Sequence, residues 1–203
     1  MADTPLHTPL DDLADAMTVA SSPAVALAAM PLLAQVNLRA DPADAVALAA
    51  IAGATGLDLP TTPNIRVTGD GDWSALWLGP DEWLLVGPEG AGADMANGLR
   101  TALGAHHVSV VDVSANRVGL DLTGPRAADV LAKGCALDLH PRVMGPDACV
   151  QTVVAKAPVM LHRLAEPAGF RLLVRNSFAH YLTDWLTDAM GEYGAGFGGE
   201  DAG

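Results

Sequence analysis

Two stretches of this chain follow one plan, and that repetition restricts the fold more than any single motif. "QVNLRADPADAVALAA" at 35–50 and "GLDLTGPRAADVLAKG" at 119–134 both run from a strand ending in Leu, through a Pro-started helix, to alanine. "LDLP" at 57–60 is answered by "LDLHP" at 137–141. "WLGPDEWLLVGP" at 77–88 is answered by "LHRLAEPAGFRLLVRN" at 161–176. Leu38 corresponds to Leu122, Leu57 to Leu137 and Leu84 to Leu172, in the same order at nearly equal spacing. A chain built this way is expected to hold two copies of a strand–helix–strand–strand–strand–helix unit. Hairpins inside each copy favour an α+β fold with mainly antiparallel sheets over a doubly wound parallel one.

The expected organisation is an irregular arm at 1–23, a first unit at 24–107, a second at 108–190 and a disordered Gly-rich tail at 191–203. In the first copy, Asp41 as cap and Pro42 at the first turn open a helix that Gly53 can close. In the last helix, Phe178, Leu182, Trp185 and Ala189 form an apolar stripe at helical spacing.

Three of the four tryptophans, Trp73, Trp77 and Trp83, fall in one predicted hairpin of a chain that is only 4% aromatic. Strand alternation puts Trp73 and Trp77 on one face, with Trp83 meeting them across the turn. The second copy offers Leu161, Arg163 and Phe170 at the matching places. A hairpin that must be covered needs such a counterpart, and a ligand-stacking platform does not. The three tryptophans are therefore read as core or as candidate subunit-interface residues, since Trp is enriched at buried interface centres.

Acidic residues outnumber basic ones 24 to 11, for a net charge of −13. Such a surface repels phosphate backbones and anionic lipid, so neither nucleic acid nor a membrane is an expected partner. Acidic character at the N-terminus and the short, Pro-interrupted apolar run at 24–34 give no signal peptide and no span, leaving a cytoplasmic expectation.

Chemistry-bearing patterns are sparse. "VGPEGAGADMANG" follows a strand and opens a helix, but Met95 stands where a dinucleotide fingerprint needs its third glycine. No histidine pair has the spacing of a helical metal site, and there is no CxxC. His106–His107 reads as an exposed turn. Cys135 sits at a helix C-terminus, where the dipole disfavours a thiolate, and reads as a small buried side chain. Asp112 can pair with Arg117 or serve as a ligand carboxylate, while Ser114 and Asn116 can cap or turn the chain. No catalytic, cofactor-binding or metal-binding residue is assigned.

"VVDVSANRVGLDLTGPRAADVLAKGCALDLHP" is similar to the folate-dependent aminomethyltransferase superfamily. Taken with "QVNLR", "WLGPDEWLLVGP" and "FRLLVRNSFAHYLTDWLTDA", it resembles the gamma-subunit family of heterotetrameric sarcosine oxidase over roughly residues 30–190. "AKGC" stops short of a related K-G-C motif, because Cys135 is followed by "ALDLHP" rather than an aromatic and G-Q-E. The resemblance implies a non-catalytic member of a four-chain flavoenzyme that oxidises sarcosine to glycine, forming hydrogen peroxide and methylene-tetrahydrofolate. It implies alpha, beta and delta subunits as partners, with FAD, FMN, NAD, tetrahydrofolate and zinc held by them. The alternatives are a stand-alone folate-binding or one-carbon transfer protein, with Asp112 and the tryptophan hairpin lining a pterin pocket, and a module whose acidic surface meets a basic protein.

Overall fold

Two five-stranded sheets organise the chain, one in the spatial order Arg66–Thr68, Ser74–Gly79, Glu82–Gly87, Ala34–Arg39, Ser109–Asp112 and the other in the order Cys149–Val154, Ala157–Leu164, Gly169–Arg175, Arg117–Thr123, Ala26–Ala29. A computed structural model describes residues 7–69 and 71–194. Two compact units are present: 31–117 with 147–151, here the first unit, and 1–30, 118–146 and 152–203, the second. Every strand pair whose register is established is antiparallel, as the hairpin pattern requires.

The first unit holds β2 (Ala34–Arg39), α2 (Ala45–Thr55), β3 (Arg66–Thr68), β4 (Ser74–Gly79), β5 (Glu82–Gly87), α3 (Gly92–Leu103) and β6 (Ser109–Asp112). Alternation sends Val36 and Leu38 to one face of β2, where they join Trp83 and Leu85 of β5. Ile51 of α2 and Ala96 and Leu99 of α3 close over them. The helix α2 is built mainly of alanine, with Val46, Leu48 and Ile51 among it, and it packs against α3. Its cap is Asp44, whose Oδ1 accepts the Val46 and Ala47 N–H groups at 3.1 and 2.9 Å. Asp41, expected to cap, instead accepts the Ala43 N–H at 2.8 Å in a turn just upstream. The helix passes through Gly53 and closes at Gly56, whose φ of 70° is a conformation that favours glycine.

The second unit holds α1 (Ala14–Ala20), β1 (Ala26–Ala29), β7 (Arg117–Thr123), α4 (Ala127–Ala132), β9 (Ala157–Leu164), β10 (Gly169–Arg175) and α5 (Ala179–Met190). The strand β8 (Cys149–Val154) begins in the first unit and ends in the second. Ala179, Leu182, Leu186 and Ala189 are the buried line of α5. Leu182 and Ala189 thus keep their expected place, while Trp185 and Phe178 stand at its margin, half-buried. Trp185 lies over Gly134, where a Cβ would come within 2.6 Å of the ring.

Matching strands occupy matching places: β2 with β7, β4 and β5 with β9 and β10, and β6 with β1. The fifth place is filled differently. In the first unit the strand after α3 fills it, pairing Val110 with Leu38. In the second, the strand nearest the N-terminus does so, pairing Leu27 with Leu122. Chain order had assigned 24–29 to the first copy and 109–112 to the second, whereas strand pairing puts each in the other. The cause is that edge pairing is decided by backbone hydrogen bonds, and "ALAA" carries no β-branched residue to announce it. Within the expected arm, residues 14–20 form a helix that packs beside α5. Of the expected tail, 195–203 lie outside the described residues, as do 1–6. Gly191–Tyr193 form a single 3₁₀ turn, with Lys133 and Arg126 over the Tyr193 ring at 5.0 and 5.8 Å.

Candidate functional site

The tryptophan hairpin resolves into three separate roles. Trp83 is fully buried and faces Trp77 across the strand pair. Its Nε1–H donates to the Pro60 carbonyl at 2.8 Å, satisfying the indole and tying down the loop after α2. Trp83 therefore has no side-chain surface left for a ligand or a partner. Trp73 and Trp77 are half-buried and pack on the rim of the same core. The Trp73 ring lies flat against Gly87, where a Cβ would come within 2.6 Å of it, a close approach that glycine permits.

The counterpart hairpin obeys the correspondence read from sequence. Phe170 pairs with Arg163 as Trp83 pairs with Trp77. Phe170 is buried, with the Arg163 guanidinium 4.8 Å from its ring centroid. Arg163 Nε donates to the Met144 carbonyl at 2.7 Å, and Nη2 donates to the Leu139 carbonyl. Both hairpins thus hold the loop that carries the repeated "LDL" by its backbone carbonyls.

The "DVSANR" segment is a structural junction. Asp112 Oδ1 accepts from the Ser114 N–H at 3.0 Å and from its hydroxyl at 2.6 Å. Ser114 Oγ in turn accepts the Gln35 N–H at 3.0 Å. Gln35, fully buried, donates from Nε2 to the Arg117 carbonyl at 2.7 Å. Gly92, the first residue of α3, lies so close that a Cβ would stand 2.8 Å from Asp112 Oδ1. A carboxylate at a helix N-terminus complements the helix dipole, so Asp112 and Ser114 join β2, β6 and α3.

An open cleft of about 640 Å³ in the first unit is lined by Arg39, Asp41, Asp44, Asp81, His107 and Ser109. Its charges are already engaged. Asp81 holds Arg39 at 3.1 Å, and Asp44 Oδ2 meets His106 Nδ1 at 2.8 Å. The Ala47 N–H, first, and His106, second, hold the Asp44 carboxyl below its usual range. His106, expected in an exposed turn, is therefore the partner of a helix cap. The missing signal was Asp44 itself, hidden because Asp41 had the better local context before Pro42.

Both cysteines are buried and free. Burial pushes the Cys149 thiol up to about 12, against a smaller opposing pull from Arg66, so it is inert at neutral pH. Among the described residues, no group of three or more His, Cys, Asp or Glu is arranged to hold a metal ion, and no helix is long and apolar enough to cross a membrane.

Comparison with known proteins gives these features a context. The family model described as sarcosine oxidase, gamma subunit family, matches residues 39–192. The chain is 42% identical to the sarcosine oxidase subunit gamma of Arthrobacter sp. over 189 residues, covering 92% of this chain and 91% of that one. It is 43% identical to the subunit gamma of Corynebacterium sp. strain U-96 over 182 residues, covering 89% and 86%. A chain of the heterotetrameric sarcosine oxidase from Corynebacterium sp. U-96 superimposes with a TM-score of 0.85 at 38% identity, covering 98% of this chain and 99% of that one. The glycine cleavage system aminomethyltransferase T from Bartonella henselae shares the fold alone, with a TM-score of 0.63 at 16% identity over 90% of this chain and 50% of its own. With a matched model across most of its length, a repeated hairpin-and-loop plan and full-length relatives, this chain belongs to the sarcosine oxidase gamma subunit family.

Proposed function

We propose that the chain is the non-catalytic structural subunit, gamma, of a heterotetrameric sarcosine oxidase. That complex oxidises sarcosine to glycine with formation of hydrogen peroxide and methylene-tetrahydrofolate. The observation that carries this reading is the end-to-end likeness to gamma chains, in sequence and in superposition. The use of the chemistry-bearing side chains supports it: the Trp83 indole, the Asp112 carboxylate and the Arg163 guanidinium each bind this chain's own backbone or side chains. Alpha, beta and delta subunits are the partners, and they carry FAD, FMN, NAD, tetrahydrofolate and zinc. The assembly is cytoplasmic. Within the tryptophan hairpin, the half-buried Trp73 and Trp77 are the residues left to meet a partner.

The test is co-expression of the other three subunits with and without this chain. With it, a flavin-bearing assembly that makes peroxide from sarcosine is expected; without it, assembly yield falls while any flavin already bound keeps its spectrum. Equal yield and activity in both cases would contradict a structural role. Folate binding by the isolated chain, seen as quenching of tryptophan emission, would favour the one-carbon transfer alternative.

A further inference from the structure

We infer that the loop Leu137–Met144 of the second unit is a docking knob, seated in the complex against a partner subunit that offers an apolar socket edged by carboxylates. This inference rests on the assembly reading above and specifies one of its contacts.

The loop joins α4 to β8 and is fastened from below. Leu139 and Met144 are buried, at 6% and 4% exposure, and Arg163 grips the carbonyls of both. It is also braced along its length. Asp138 Oδ1 accepts the His140 N–H at 2.9 Å, and the His140 carbonyl accepts the Val143 and Met144 N–H groups at 2.8 and 2.9 Å. His140 Nδ1 accepts from the Arg142 backbone N–H at 3.2 Å. A loop ordered before contact loses little entropy on binding.

What this braced loop presents outward is apolar. Val143 is 66% exposed and Leu137 is 39% exposed. The fold does not demand this: in the matching loop of the first unit, Leu57, the counterpart of Leu137, is 1% exposed. Arg142 stands beside Val143 and is exposed. Of the 11 basic residues in a chain with 24 acidic ones, four, Arg39, Arg126, Lys133 and Arg171, are held in ion pairs with carboxylates of this chain. Arg142 has no carboxylate partner among the described residues; its Nε donates to His140 Nδ1 at 3.4 Å, within its own loop. A guanidinium oriented by its own loop, without a carboxylate and flanked by exposed aliphatic groups, has the composition of an interface anchor, and its charge calls for a carboxylate across the contact.

The experiment uses the co-expressed complex with a tag on this chain. Arg142→Glu combined with Val143→Glu is expected to lower recovery of partner subunits by about tenfold or more. Arg142→Lys should lower it less, because charge is kept and only the planar fork is lost. Val19→Glu, at a position 87% exposed on α1, is the matched control and should leave recovery unchanged. If the double variant itself melts below wild type, Val143→Ser alone decides: weakened recovery with an unchanged melt supports the knob. Undiminished recovery with the variants, while wild type assembles, overturns it. If wild type recovers no partner subunit, the assembly reading fails and takes this inference with it.

Discussion

Trp83 and Arg163 lie in matched hairpins and meet one need by different chemistry. The loop after α2 in the first unit and the loop after α4 in the second each turn backbone carbonyls toward the paired hairpin, and a buried carbonyl must be given a donor. The first unit uses a neutral indole N–H on Pro60, from β5. The second keeps an aromatic ring, Phe170, in the core place and moves the donor across the strand pair to Arg163. What the fold preserves is the aromatic slot and the satisfied carbonyl, not the side chain that satisfies it. A second contrast lies in the helices that follow the matching strands β2 and β7. The eleven-residue α2 is capped by Asp44 with His106 behind it. The six-residue α4 has Arg126 at its cap and no side-chain hydrogen bond there.

The strongest way to break the comparison is Trp83→Ala, which removes a fully buried ring and an indole donor together. A loss of about 4 kcal/mol is expected, measured as the shift in denaturant midpoint of the assembled or full-length protein. Trp83→Phe keeps a smaller aromatic ring in the slot and removes the bond to Pro60, so about 1–3 kcal/mol should go. The equivalent cut in the second unit is Arg163→Met, which keeps the packing stem. Its expected cost is about 2 kcal/mol, and a cost near zero would show that the two anchors are not equivalent.

The capping contrast is read by pH. Asp44 has its folded-state pKa lowered by the Ala47 N–H and by His106. Its contribution is therefore present above the unfolded value near 3.8 and lost as pH falls through the lower folded value. Asp44→Asn should flatten that acid limb, read as the pH dependence of the denaturant midpoint. The smallest effect concerns Cys149. With its thiol at about 12, the native protein should not label at Cys149 with a thiol reagent at pH 8, and labelling should appear on unfolding. Because that pKa is raised, its contribution is intact below the unfolded value near 9 and declines as pH rises from there.

Much of this was legible in the chain. The repeated strand–helix plan, the antiparallel hairpins and the match of Trp77 and Trp83 with Arg163 and Phe170 come from local patterns, because alternation and turn residues act over a few positions. The edge strands β1 and β6 were not assigned correctly, since nothing in "ALAA" or "SVVD" names the strand beside it. Asp44 was missed because two aspartates flank Pro42 and Ala43, and only geometry decides which one the helix takes. Arg163 was legible as a counterpart but not as a loop anchor, because its acceptors are backbone carbonyls nineteen and twenty-four positions away.

The most direct measurement is purification from the native host through a tag on this chain, with the visible spectrum and sarcosine-dependent peroxide formation of the eluate recorded together. A yellow complex containing larger subunits and producing peroxide from sarcosine is the predicted result. A colourless, folded single species would contradict the assembly on which the account rests.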